Sequence, residues 1–420
     1  MEYKSYDIKK GVTLHYLKTD KFKTANLTFF IRRPLEKGEV TKNALVSSVI
    51  RRGCPVYKTS MELSNAMSEL YGAEVDTGIK KKGDNQIITV SFSFANEKFV
   101  PGHPEILKEI FKIADSMILK QDSFNPDYVN QEKENLKSLI LAQKNDKRQY
   151  AQARCIQCMC ENEAYGIPRY GFAEKVDEIT DSELFSHYKD IILASGTDIF
   201  LCGDIDIDIA KNAVSEMYRD IEIKYPGYAK CEILNAGEVK NITETEPVAQ
   251  GKLSMGFRTG ITNNSELYPA MILYNAILGG GIFSKLFNNV REKLSLCYYA
   301  SSAADCLKGV MFINSGIETA NFQKAYDEIL CQMKDMENGV ISEEEFNAAK
   351  LGTVNNLRSI TDSAFGTAEY YLGKIVSGRV ISLEELILMI DRTTPEQVKE
   401  AARQVKLDTV YFLKGEGDAK

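Results

Sequence analysis

Apolar positions along this chain alternate in short stretches and recur at helical spacing in longer ones. Residues 11–18 and 25–31 alternate as half-buried strands do. A compact helix follows. Thr41 can cap it, and Ala44, Leu45, Val46, Val49 and Ile50 give it apolar character. Arg51 and Arg52 suit its C-terminal dipole, and Gly53 can end it. A second helix is predicted over 61–71, strands over 73–80 and 86–94, and long helices across 105–159. A helix over 182–192 then leads into a strand over 198–202.

The same order returns further on. A strand at 252–258 precedes helices at 267–278 and 283–293, strands at 297–305 and 310–315, and helices at 320–338 and 342–359. The segment ITDSELFSHYKDIILASGTDIFLCGD parallels TTPEQVKEAARQVKLDTVYFLKGEG, each a helix, a short loop, an apolar strand and a glycine. A duplicated unit of roughly 200 residues is the reading, in keeping with repeat architectures. Tyr225, Pro226, Gly227, Gly237 and the polar run 243–246 break the pattern. They divide the chain into an N-terminal domain at 1–222, a linker at 223–248 and a C-terminal domain at 249–420.

A chain of 420 residues, 44% of them hydrophobic, can bury its core without disulfides or metals. Its net charge of −7 and lack of a basic stripe argue against nucleic acid as a partner. The first residues carry no apolar segment behind a basic start, and no run approaches a membrane span, so neither a signal peptide nor a membrane partner is expected. Nine cysteines, an odd and scattered set, fit free thiols in a reducing cytoplasm.

Segments taken in order carry a resemblance. They are the helix before Gly53, LSNAMSELYGAEVDTG, QEKENLKSLI, YGIPRYGFAEKVDEIT and, above all, LGGGIFSKLFNNVREKLSLCYY. Together they resemble the insulinase/pitrilysin family of inverzincin zinc peptidases over nearly the whole chain. The resemblance implies an α+β fold of two tandem related domains. Each would be a mostly antiparallel sheet with helices packed on one face, and the pair would form half of a peptidase clamshell.

Zinc members of that family carry H-x-x-E-H on the first helix, two imidazoles for the metal and a glutamate as general base. Counted back from Gly53, the motif positions fall on Ala44, Ser47 and Ser48; a third ligand, a glutamate on a later helix in the family, falls by the spacing from QEKEN at about Leu139. The chain holds three histidines, His15, His103 and His187, and no two lie within a helical turn. No shift of register restores a two-histidine site, so no metal cofactor is expected in this chain.

Other candidates have plainer readings beside the functional one. Cys155, Cys158 and Cys160 could offer thiolates to zinc or copper, but they share no single helical face and lack a fourth ligand nearby, so packing is the better reading. Gly279, Gly280 and Gly281 lack the Lys-Ser/Thr pair of a P-loop and read as a helix end and tight turn. The resemblance adds that glycine-rich loops here in processing-peptidase subunits touch substrate. It also implies that Arg291 and Tyr298, seven residues apart, bind substrate and assist a scissile carbonyl held by a zinc-bearing domain.

The expected function is therefore the non-catalytic subunit of a heterodimeric zinc-peptidase-like complex. It would close a chamber around a peptide beside a zinc-bearing homologue, with zinc only in that partner and a homodimer possible in isolation. Similarity to inactive members associated with elongation factor P modification points the same way. The competing class is a scaffold or binding protein of the same fold without a proteolytic role.

Overall fold

The computed structural model describes residues 1–102 and 104–415. The chain divides into two units. The first comprises Met1–Leu141, Ile167–Lys230 and Thr361–Leu372; the second comprises Ala142–Gly166, Cys231–Ile360 and Gly373–Lys420.

The first unit is built on strands β1 (Glu2–Lys9), β2 (Val12–Lys18), β3 (Thr24–Pro34), β4 (Glu74–Lys82), β5 (Asn85–Ala95) and β6 (Thr197–Gly203). They form one six-stranded sheet in the order β1-β2-β6-β3-β5-β4. Neighbours run antiparallel except β2 and β6, which run parallel with His15 beside Phe200. Leu27, Phe29, Val90 and Phe92 meet Leu45, Val49, Ile110 and Leu184 from the helices in one buried core.

The opposite face of this sheet is covered by residues from far along the chain. Phe365 lies 6.3 Å from Phe30, and Tyr371 stacks on Tyr3 at 4.3 Å. Beneath them, a buried Asp198 accepts hydrogen bonds from His15 Nε2 at 2.8 Å, from the Arg32 guanidinium and from the Tyr228 hydroxyl. Burial pushes the Asp198 carboxyl up, but the His15 hydrogen bond and the Arg32 charge together outweigh it and hold it below its ordinary value.

The second unit contains β7 (Lys240–Glu246), β8 (Gly251–Arg258), β9 (Cys297–Asp305), β10 (Val310–Ile317) and β11 (Lys406–Gly415). Its five-stranded sheet has the order β7-β11-β8-β10-β9, with β7 parallel to β11 and the rest antiparallel. This matches β2-β6-β3-β5-β4 strand for strand in order and sense. Helix Tyr268–Gly279 packs on one face; a Cβ on Gly279 would come within 2.5 Å of the Ser302 nitrogen on β9. On the other face, Cys155 and Met159 of helix Lys147–Met159 pack with Phe312, Tyr411 and Leu413.

Two sequence expectations change here. Residues 240–246, placed in the linker 223–248, form strand β7 of the second sheet. Residues 142–166 and 361–372, placed by the contiguous bounds 1–222 and 249–420 in their own halves, complete the opposite units. Local periodicity finds a helix but not the sheet it covers. Each sheet thus carries most helices on one face, as expected, and a single segment of distant chain on the other.

Local chemistry sets the helix ends. Thr59 with Glu62, Ser342 with Glu345 and Thr394 with Gln397 form capping boxes, the last with Pro395 in the first turn. Helix Val40–Val49 begins without a side-chain cap, and Thr41 lies inside it, its Oγ1 accepting from the Phe172 amide at 3.1 Å. Among the described residues, no helix is long and apolar enough to cross a membrane.

Candidate functional site

Helix Val40–Val49 is buried along most of its length. Ala44, Ser47 and Ser48 line a cleft of about 370 Å³ with Thr77, Gly78 and Ile79 of β4 and with Glu132, Leu136 and Leu139 of helix Pro126–Ala142. The structure therefore brings the four degenerate motif positions to one place. Ala44 presents a methyl group. Ser47 Oγ turns back and donates to the Ala44 carbonyl at 2.9 Å, and Ser48 Oγ approaches the same oxygen at 3.4 Å. Leu139 is 46% exposed at the cleft.

The cleft contains one carboxylate that sequence reasoning passed over, Glu132. It lies seven residues before Leu139, two helical turns away on the same face. Glu132 is buried and faces Arg52 at 3.4 Å. Arg52 also donates to Gln131 Oε1 at 2.6 Å and lies 4.7 Å over the Tyr128 ring. These residues do not fit a catalytic zinc. The metal needs several nitrogen, sulfur or carboxylate donors. Here the hydroxyls serve their own helix backbone, and the single carboxylate already meets a guanidinium. Among the described residues, no group of three or more His, Cys, Asp or Glu is placed to hold a metal.

Among the described residues, His15 and His187 serve the fold. His15 links Asp198 to the Tyr3 hydroxyl, with Nδ1 2.9 Å from that oxygen. His187 Nε2 meets Asn43 Oδ1 at 2.8 Å and so steadies helix Val40–Val49. His103 lies outside the described residues. Burial, helped by the Lys42 and Arg33 charges, lowers the His187 pKa from 6.5 to about 4. The unfolded chain therefore takes up this proton first as pH falls. The stability contribution is complete above about pH 6.5 and declines toward pH 4. Between pH 7.5 and 5 the loss from this group is about 2 kcal/mol. Melting temperatures across that range should fall more steeply in the parent protein than in His187→Gln; parallel curves would refute the assignment.

Cys155 and Cys160 are buried and Cys158 is half-buried. Burial pushes the Cys155 and Cys160 thiols up to about 12, which suits packing rather than metal binding or nucleophilic work.

In the second unit, Arg291 lies on the π-helical turn Leu286–Lys293 and Tyr298 on β9. Tyr298 is 65% exposed. The Arg291 side chain is 42% exposed, lies 4.6 Å over the Phe287 ring and reaches Glu292 at 3.5 Å. No hydrogen bond joins Arg291 to Tyr298 among the described residues. Of the glycine run, Gly279 is required by the close approach of β9, and a Cβ on Gly280 would meet the Ala276 Cα at 2.7 Å. Gly281 faces open space. It is followed by two exposed apolar side chains, Ile282 and Phe283. Sequence periodicity assigns Phe283 to a helix and gives no sign of that exposure.

A duplicated α+β architecture with a metal-type cleft stripped of its ligands defines an inactive member of a zinc-peptidase fold. Residues 178–352 match the family model described as "Peptidase M16 inactive domain". The chain is 35% identical over 409 residues to a Bacillus subtilis (strain 168) protein named "Probable inactive metalloprotease YmfF", covering 96% of each chain. A solved structure of a conserved protein from Enterococcus faecalis V583 matches with a TM-score of 0.92 at 28% identity over 100% of both chains. A second, of a peptidase M16 inactive domain from Pseudomonas fluorescens, gives a TM-score of 0.83 at 18% identity, covering 99% of this chain and 98% of that one. The chain belongs to the peptidase M16 family and is a non-catalytic peptidase homologue in it.

Proposed function

We propose that this chain is the non-catalytic subunit of a two-chain zinc-peptidase-like complex, pairing with a zinc-bearing homologue around a peptide. The observation that carries the reading is a contrast between the units. The metal-type cleft of the first holds no metal ligand set, while the second has Arg291 and Tyr298 exposed and a glycine-led segment with Ile282 and Phe283 exposed. A chain that complements a partner's metal site needs outward donors rather than ligands of its own.

In that role Tyr298 donates to the carbonyl oxygen as negative charge develops on it, and Arg291 holds peptide carbonyls with its planar fork. Gly279, Gly280 and Gly281 shape the loop that admits the peptide. Zinc would be held by the partner alone. The nine cysteines, all free, suit a reducing compartment such as the cytoplasm. The similarity to inactive members associated with elongation factor P modification makes that process one setting for the complex.

The test is reconstitution with a zinc-bearing relative. Arg291→Ala and Tyr298→Phe should each lower peptide cleavage by at least about tenfold with assembly unchanged, about 1.4 kcal/mol of transition-state stabilisation apiece. Full cleavage by both variants in an intact complex would leave the scaffold reading ahead. Failure to form any complex by light scattering, with both chains folded, would remove the pairing.

A further inference from the structure

The former metal cleft of the first unit has a charge balance of its own. Its charged lining residues are Arg51, Arg52 and Glu132, two cations against one anion. Glu132 is matched by Arg52 at 3.4 Å. Arg51 has no such match. Among the described residues its guanidinium makes one ion pair, at 3.7 Å, beyond hydrogen-bond reach, to an Asp76 side chain that is 85% exposed. The Arg51 side chain is itself 49% exposed. The cleft thus presents one positive charge with unused planar donors, the geometry that takes a carboxylate by two parallel hydrogen bonds.

The rest of the lining limits what carries that carboxylate. Ile79, Leu136 and Leu139 give an apolar wall beside the cation. Thr77, Gly78 and Ile79 belong to β4, the last strand in the sheet order, so one backbone edge of this wall lies outside the ladder. A Cβ on Gly78 would meet nothing within 4 Å, so the wall is open there. The volume of about 370 Å³ lies at the small end of ligand sites, which span about 300–1,000 Å³. An extended peptide end with an apolar last side chain meets all of these at once. Its backbone follows β4, its side chain meets Leu136 and Leu139, and its terminal carboxylate meets Arg51. An inorganic anion would use the cation and leave the wall and strand edge idle.

We propose that this cleft, unfit for metal, is a recognition pocket for the free C-terminal carboxylate of a peptide ending in an apolar residue, with Arg51 as the anion receptor. The inference rests on the reading that the chain handles peptides, but it concerns only the first unit. It can fail while Arg291 and Tyr298 keep their roles in the second.

The experiment uses the full chain alone and a fluorescein-labelled hexapeptide ending in leucine, as free acid and as C-terminal amide. Binding is followed by fluorescence anisotropy. The free acid should bind at least tenfold more tightly than the amide, and Arg51→Gln should remove the difference. Arg51→Gln is expected to leave the circular dichroism spectrum and melting temperature unchanged, since the side chain is half exposed. Asp76→Asn, which removes the competing carboxylate, should tighten the free acid in particular. Equal binding of acid and amide, a preference that survives Arg51→Gln, or no binding of either peptide each overturns the pocket. Cleavage by the reconstituted complex, read in the Arg291 and Tyr298 variants, judges the subunit reading separately.

Discussion

Asp198→Ala is expected to cost about 3–5 kcal/mol of stability, the usual result of stripping one partner from a buried ion pair. The side chain of Asp198 is 2% exposed and that of Arg32 is 6% exposed. Without the carboxylate, Arg32 keeps a hydrogen bond to the Gly11 carbonyl at 2.8 Å but loses its countercharge. His15 and Tyr228 lose an acceptor in the same step. Asp198→Asn separates charge from shape. It fills the same space and still accepts, so a loss above half that of the alanine variant assigns the effect to uncompensated charge. The chain has no tryptophan, so far-UV circular dichroism during urea unfolding is the suitable probe. A cost under about 1 kcal/mol for Asp198→Ala would contradict the pairing argument.

Glu163→Gln in the second unit should cost at least as much, because one carboxylate there serves two cations. Glu163 accepts from Arg258 at 2.6 Å and pairs with Lys308 at 2.9 Å. The Lys308 side chain is fully buried, and that of Arg258 is 6% exposed. Burial pushes Glu163 up, but the hydrogen bonds from Arg258 and Lys308 prevail and hold it below its ordinary value. After the substitution, Asp408, 3.1 Å from Arg258 Nε, still faces Arg258. We expect a loss of about 3–5 kcal/mol. Combining Glu163→Gln with Lys308→Met should restore part of it, since the second change removes a buried ammonium that no longer faces the Glu163 charge. If the double variant is less stable than either single one, the cations are not the source of the loss.

These two networks were beyond reach of the sequence, as was Glu132, for a shared reason. Glu163 sits in ENEAYG and Glu132 in QEKEN, stretches whose composition reads as a solvated surface. Only the tertiary fold buries them. The loss of zinc chemistry was legible because it depends on composition: three histidines with no helical pair cannot make the family's site in any register. The strands β3, β5, β8 and β10 were legible as apolar runs, since buried strands must be apolar. Strand β7 was not, because KNITETE alternates without a hydrophobic face and lies at a sheet edge beside β11. The short helix is legible, but its N-cap is Glu39, two residues before the expected Thr41, whose hydroxyl accepts from the Phe172 amide instead of from its own helix.

The segments that complete each unit from distant chain have a consequence for fragments. A piece ending near residue 230 would carry its sheet without Phe365 and Tyr371, leaving Phe30, Tyr3 and neighbours bare to water. A piece beginning at residue 231 would lack Cys155 and Met159 over Phe312 and Leu413. Each piece would present a broad apolar sheet face, the kind of surface that drives aggregation. During synthesis the first sheet must wait for more than a hundred further residues before its covering helix exists. Duplication made two similar bodies, but the crossing of these segments makes them one unit of inheritance and of folding, which neither truncation nor simple gene splitting can separate cleanly.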